Sequence, residues 1–192
     1  MYETAVNEKD LVENILGGNK ESFRVFIEQY QKLVSHVVFR MISGDADRED
    51  ICQDVFVKVY LNLKNFRYDS KLSTWVAKIA YNTALNYLDK KKLPLYGDFS
   101  DEERKVEEAI AENTTPEDYA GEREISRKVV EEIDAMPVIY GTILSLYHLE
   151  EMSYREIGDI MKLPDGTVKS YLYRARRMLK ERLLRKYQRE DL

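Results

Sequence analysis

The sequence predicts an all-α protein: two small helical domains joined by an acidic linker, the second ending in a helix-turn-helix. Three observations carry this expectation. Apolar residues recur at three- and four-residue spacing through much of the chain, the period of a helix with one buried face. Eight Gly and four Pro in 192 residues, with little β-branched alternation, leave few helix breakers and few strand candidates. Charge divides the chain into blocks: net −3 over residues 1–19, +4 over 20–92, −8 over 93–124 and +2 over 125–192. Two mildly basic blocks therefore flank an acidic connector, and the overall charge of −5 conceals them.

The expected domains are residues 1–92 and 125–192, with 93–124 as the linker. An apolar fraction of 44% is enough for two small cores. Cys52 is the single cysteine, so neither an internal disulfide nor a cysteine metal site is available, consistent with a reducing cytoplasm. His36 and His148 lie far apart in apolar helical contexts and read as satisfied core or boundary histidines. No apolar run is long enough to span a membrane, and the opening MYETAVNEKD is not a secretion signal. No glycine-rich phosphate loop, metal-ligand spacing or nucleophile motif is present, so no cofactor, metal or catalysis is expected.

In the first block, Asn19 is placed to cap a helix carrying Phe23, Phe26, Ile27, Tyr30, Leu33, Val34, Val37, Val38 and Met41 on one side, with Gly44 at its end. From Asp47 to Phe66, DREDICQDVFVKVYLNLKNF turns Ile51, Cys52, Val55, Phe56, Val59 and Leu63 inward. Asp47, Asp50 and Asp54 point outward. Acids in a first turn are explained by the helix dipole. Asp54 lies beyond it, and with Gln53 and Lys58 suggests a polar docking surface, although a solvated face explains these residues too.

After RYDSKLS, a helix from Thr74 to Lys92 buries Val76, Ile79, Ala80, Thr83 and Tyr87. Lys71, Thr74, Trp75, Lys78, Tyr81 and Asn82 gather on its other side, with Asn86 at the edge. Rings that stack on bases, amides that meet base edges and lysines that meet phosphates suit single-stranded nucleic acid. For Trp75, packing on a neighbouring helix is an equal reading. The linker holds Pro94, Gly97, Pro116 and Gly121 and few large apolar residues, with room for a short helix around Asp101 to Glu112.

The second block ends in SYREIGDIMK and GTVKSYLYRARR. Ser153 and Glu156 form a capping-box pattern at the start of a short helix that buries Ile157, Ile160 and Met161. Gly158 is small enough for another helix to approach. Lys162-Leu163-Pro164-Asp165 breaks the helix and starts the next. There Val168, Leu172, Ala175, Leu179 and Leu183 share a buried stripe. Ser170, Tyr173, Arg174 and Arg177 lie opposite, flanked by Lys169 and Lys180. Nine Lys/Arg against one acid between residues 166 and 189 make a polyanion the expected partner of this face.

These segments resemble the extracytoplasmic-function (ECF) sigma factors of bacterial RNA polymerase, sigma-70 family members with regions 2 and 4 only. The likeness covers about residues 20–92 and 125–185. DREDICQDVFVKVY is similar to the part of region 2 that docks on the polymerase clamp. STWVAKIAYNTALNYL is similar to the part that recognises and melts the −10 element. MSYREIGDIMKLPDGTVKSYLYRARRMLK is similar to region 4, whose helix-turn-helix binds the −35 element. The resemblance implies no chemistry. It implies core polymerase and promoter DNA as partners, duplex at −35 and single-stranded at −10, together with an anti-sigma factor, often membrane-anchored.

By resemblance, Asp50, Gln53, Asp54 and Phe56 would be clamp contacts or their support. The loop from Lys64 to Lys71, including Asn65 and Arg67, would receive a flipped base. Trp75, Lys78, Tyr81, Asn82 and Asn86 would handle the opened strand. Lys169, Ser170, Tyr173 and Arg174 would read the −35 element, with Arg177 and Lys180 on phosphates. The acidic linker would pass near the polymerase's RNA path. The chain departs from the family pattern at Ala77, Lys78 and Tyr171, and in the apolar PVIYGTI, where Val138, Ile139 and Tyr140 either face a partner or belong to the core. Two rivals stand beside this reading. A stand-alone helix-turn-helix regulator binding operator DNA would explain residues 150–185 but not 47–87. A helical adaptor with protein partners alone would leave the cationic face of the last helix unexplained.

Overall fold

The structure, a computed structural model, describes residues 7–91 and 122–187. Helices dominate these residues, and no strand occurs among them. The expected short helix around 101–112, and most of the linker, lie outside the described residues.

The first unit contains α1 (Glu8–Leu16), α2 (Lys20–Met41), α3 (Asp45–Asn62), a single 3-10 turn (Leu63–Asn65) and α4 (Leu72–Lys91). Helix α1 went unpredicted from the sequence pattern, yet Leu11, Val12 and Ile15 provide its buried face and Asn7 caps it by accepting from the Lys9 amide at 3.1 Å. Tyr30 on α2 donates its hydroxyl to Glu8 at 3.0 Å and fastens α1 down. Asn19 caps α2 as its sequence position implies, accepting from the Ser22 amide at 3.1 Å. Gly44 does not close α2, which ends at Met41 and Ile42. With φ +100° it stands just before α3, a left-handed conformation that glycine takes without strain.

The second unit contains α5 (Glu122–Asp134), α6 (Val138–His148), α7 (Tyr154–Met161) and α8 (Asp165–Lys186). Every residue of α6 from Ile139 to Leu146 is buried, so PVIYGTI supplies a central helix surrounded on all sides. Ile139 and Tyr140 belong to the core, and Val138 is half-buried. Buried Glu132 on α5 accepts from Lys186 at 2.6 Å and Arg182 at 3.1 Å, which ties α5 to α8. The Lys186 hydrogen bond, with help from Arg182, holds this carboxyl below the usual carboxylate range.

Helix α7 opens with the full capping box: the Glu156 amide donates to Ser153 Oγ at 3.3 Å, and the Ser153 amide donates to the Glu156 carboxylate at 2.8 Å. It closes at Lys162, whose φ of 58° is left-handed, and the Leu163 amide returns to the Gly158 carbonyl at 3.0 Å. Pro164 then leads into α8. A Cβ on Gly158 would stand 2.7 Å from the Leu163 carbonyl oxygen and 3.3 Å from Asp165 Oδ1. The closest approach at Gly158 is thus made by the backbone of the turn, with Asp165 and Val168 of α8 next, so the glycine admits both the turn and the following helix.

The two units pack against each other. Helix α2 lies on α6 and α4 lies on α7, and their apolar residues form one continuous core.

Candidate nucleic-acid interface

Helix α8 presents its cations as its helical period requires. Val168, Leu172 and Ala175 are buried, while Lys169, Tyr173, Arg177 and Lys180 are exposed. Ser170 and Arg174 are half-buried. Two of these groups are already engaged. The Ser170 hydroxyl donates to the Thr167 carbonyl at 3.0 Å, and Arg177 Nε pairs with Glu181, one turn on, at 2.9 Å. A pair this exposed contributes little to stability, so a phosphate can displace it.

A cationic and aromatic patch that sequence reasoning missed lies beside this face. The Tyr147 and Tyr154 rings stack at 5.3 Å. Lys169 Nζ lies 5.7 Å from the Tyr154 ring centre, and the Arg176 guanidinium lies 4.9 Å from that of Tyr147. Arg176 Nε also donates to His148 at 3.2 Å. Burial, and then Arg176, push the His148 pKa down. The two tyrosines lie on opposite sides of the α6–α7 loop, so no single helical period links them.

On α4 the expected outer face is only partly exposed. Lys71, Lys78 and Asn86 are exposed, and Trp75 and Asn82 are half-buried. Tyr81 and Thr74 are buried, at 3% exposure each, against the expectation that both face outward. The cause is that α4 is covered by α2 and α3 and also by α7, so its buried arc widens to include Thr74, Ala77 and Tyr81. Asn82 donates to the Lys78 carbonyl at 2.7 Å. Trp75 packs on Phe66 at 5.3 Å, and Phe66 on the exposed Tyr68 at 4.6 Å. An aromatic ledge thus borders the loop where Lys64, Asn65 and Arg67 are exposed. Tyr68 holds a left-handed φ of 60°, an uncommon conformation for a residue with a side chain.

On α3, Asp50, Gln53 and Asp54 are exposed and Phe56 is half-buried against the core. Lys58 does not extend this surface, because its ammonium donates to Thr83 of α4 at 3.2 Å. The acidic stripe instead continues through apolar residues. Val57 and Leu61 are 56% and 63% exposed, with Tyr60 beside them. Their spacing from Asp50 and Asp54 places them opposite Ile51, Val55 and Val59, and that signal was available in the sequence.

Glu156 joins α7 to the start of α4. Beyond its cap, its carboxylate accepts from Thr74 Oγ1 at 3.0 Å and pairs with Lys71 Nζ at 3.2 Å. Burial pushes this carboxyl up, but hydrogen bonds from the Ser153 amide and hydroxyl, Lys71 and Thr74 outweigh burial and hold it at about 2, below the ordinary 4.5. A lowered folded-state pKa stabilises the fold above the unfolded value, and this stabilisation is lost as pH falls through the folded one. Glu156→Gln is therefore expected to flatten the stability curve between pH 4.5 and about 2. Urea denaturation across that range reads the change, and an unaltered slope contradicts the assignment.

Residues 26–93 match the model of sigma-70 region 2, and residues 126–179 that of sigma-70 region 4. The chain is 33% identical to the ECF RNA polymerase sigma-E factor of Haemophilus influenzae, over 93% of this chain and 96% of that one. It is 35% identical to the ECF RNA polymerase sigma-E factor of Escherichia coli K12 (89% and 91%) and 29% identical to the ECF RNA polymerase sigma factor SigW of Bacillus subtilis (91% and 96%). Among solved structures, it shares its fold with RpoE of Bartonella quintana, solved with the anti-sigma factor NepR (TM-score 0.63, 18% identity, covering 87% of this chain and 99% of that one). It also shares its fold with CnrH, solved with the cytosolic domain of CnrY (TM-score 0.62, 17% identity, 92% and 97%).

Proposed function

This chain belongs to the extracytoplasmic-function sigma factors of the sigma-70 family, and from that membership we propose how its surfaces divide promoter recognition. The protein is an RNA polymerase sigma factor: it binds core polymerase and directs promoter-specific initiation. The observation that carries the division of labour is the order of three surfaces along one chain. These are the acid-and-apolar stripe of α3, the lysine and aromatic face before and along α4, and the cationic α8 of the helix-turn-helix.

Residues 1–92 act as region 2 and 125–192 as region 4. Asp50, Gln53 and Asp54 dock on polymerase together with Val57 and Leu61, and Phe56 supports them from the core side. Lys64, Asn65, Arg67 and Lys71, with Trp75, Lys78, Asn82 and Asn86, receive the opened −10 strand. Tyr81 reaches that strand only after α7 leaves α4. Lys169, Ser170, Tyr173 and Arg174 meet the −35 base pairs, while Arg177 and Lys180 meet phosphates. A stand-alone regulator leaves the α3 and α4 surfaces without a task.

An anti-sigma factor is the further partner we assign. The cationic rim of Arg176 and Lys180 on an apolar groove between α5, α6 and α8, of about 570 Å³, suits an acidic amphipathic helix. No helix among the described residues is long and apolar enough to cross a membrane.

Arg174→Glu tests the assignment of α8. Promoter-dependent initiation with core polymerase is expected to fall at least about tenfold, the scale of a lost base contact of about 1–3 kcal/mol. Binding to core polymerase is expected to persist. Equal loss of both would make Arg174 a structural residue.

A further inference from the structure

The groove between α5, α6 and α8 gathers apolar side chains that the rest of the second unit leaves uncovered. Val130, Leu149 and Leu184, from three separate segments, are 38%, 44% and 56% exposed along it. Leu179 and Leu183 are half-buried in it, and the exposed Arg176 and Lys180 stand at its rim. Apolar residues brought together from distant parts of a chain and bordered by charge mark a surface that takes a partner.

The chain itself carries a segment of the matching chemistry. Residues 92–121 join the two described parts and include DFSDEERKVEEAIAEN, from Asp98 to Asn113. Ser100 and Glu103 have the capping-box spacing that starts a helix. On a helical period Val106 and Ile110 share one face, and Glu102 and Glu107 lie on either side of it. Arg104 and Lys105 fall on the far side. Residues 101–112 hold six acids against two bases, and the rim of the groove is cationic.

The connection between segment and groove suits a return of the chain. Nine residues, 113–121, separate the segment from α5, and Pro116 and Gly121 among them favour a reversal of direction. Val106 lies six residues before Glu112, and Val129, in the groove, lies seven after Glu122 at the start of α5. Two antiparallel helices of equal rise would set these valines side by side. A partner tethered this closely acts at an effective concentration on the order of millimolar.

We propose that residues 101–112 dock as an acidic amphipathic helix in the α5–α6–α8 groove of their own chain. Val106 and Ile110 face inward, and Glu102 and Glu107 meet Arg176 and Lys180. The proposal rests on the reading of this groove as the seat of an acidic amphipathic helix. It makes the linker a rival of the anti-sigma factor, whose helix must displace the tethered one before it can bind.

The test is disulfide trapping in the full chain. In a Cys52→Ser background, Leu184→Cys is combined in turn with Val106→Cys, Ile110→Cys and Glu108→Cys. Glu108 lies opposite Val106 and Ile110 on the helical period, so docking holds it away from the groove. Positions 106 and 110 are expected to form an intramolecular disulfide at least about tenfold faster than 108, because bridging needs close and correctly aimed thiols. A second readout is a fluorescent peptide of residues 98–113 added to the full chain. A chain carrying Val106→Asp and Ile110→Asp is expected to bind it at least about tenfold more tightly than the wild type, because its own segment no longer competes. Adding Leu184→Asp to that variant is expected to remove peptide binding.

Equal trapping rates at all three positions, or equal peptide affinity for wild type and variant, overturn the docked linker. Disulfides that form only between chains also overturn it and assign the groove to a second copy. Peptide binding without trapping keeps the reading of the groove and overturns docking within one chain. Trapping at 106 and 110 in a protein with no affinity for core polymerase overturns the sigma reading and leaves the docked linker standing.

Discussion

Replacing Val57 and Leu61 together by Asp removes binding to core RNA polymerase while leaving the fold intact. Both side chains are more than half exposed on α3, so their loss leaves no cavity, and surface changes of this kind alter stability by about 0.5 kcal/mol or less. Their contribution arises on docking. Burying one such side chain is worth about 1.5–3 kcal/mol, so losing two and adding two desolvated charges weakens the complex by at least a hundredfold. The measurement is a titration of core polymerase with the variant, alongside thermal unfolding of the free protein. Unchanged affinity would move the docking surface elsewhere, and a matching loss of thermal stability would make these residues structural.

Gly158→Ala is expected to be the most disruptive one-methyl change in the second unit. The added Cβ would lie 2.7 Å from the Leu163 carbonyl oxygen, which belongs to the turn's backbone and cannot rotate away as a side chain could. Overpacking of this kind costs about 1–3 kcal/mol, and α7 has only eight residues over which to spread the strain. Chemical denaturation should show that loss, and binding to duplex −35 DNA should fall with it. Docking on polymerase through α3 should survive. A fully stable Gly158→Ala protein would mean that the turn relaxes at little cost.

Local chemistry was legible in the sequence. The Ser153–Glu156 capping box and the Asn19 cap each depend on residues within three positions of one another, and both form as their spacing implies. The cationic side of α8 was legible for the same reason, since one helix period fixes which residues share a face. What the sequence hid was tertiary. Thr74 and Tyr81 sit where a free amphipathic helix would expose them, but α7, some 80 residues later in the chain, covers α4 on that side. Lys58 likewise looks solvated until Thr83 of α4 is brought beside it. Glu156 shows both levels in one side chain. Its capping role is local and readable, while its contacts with Lys71 and Thr74 depend on how the two units meet. The apolar stripe of Val57 and Leu61 was readable, and Val57 lies within the segment that carries the family likeness, but the roles carried over from the family stopped at Asp50, Gln53, Asp54 and Phe56.

The most direct test of the account is a native-gel titration of bacterial core RNA polymerase with the full chain, run in parallel with the protein in which Val57 and Leu61 are both replaced by Asp. The account predicts a stoichiometric complex for the wild type and a complex weakened at least about a hundredfold for the double variant. Absence of a complex with the wild type would contradict it.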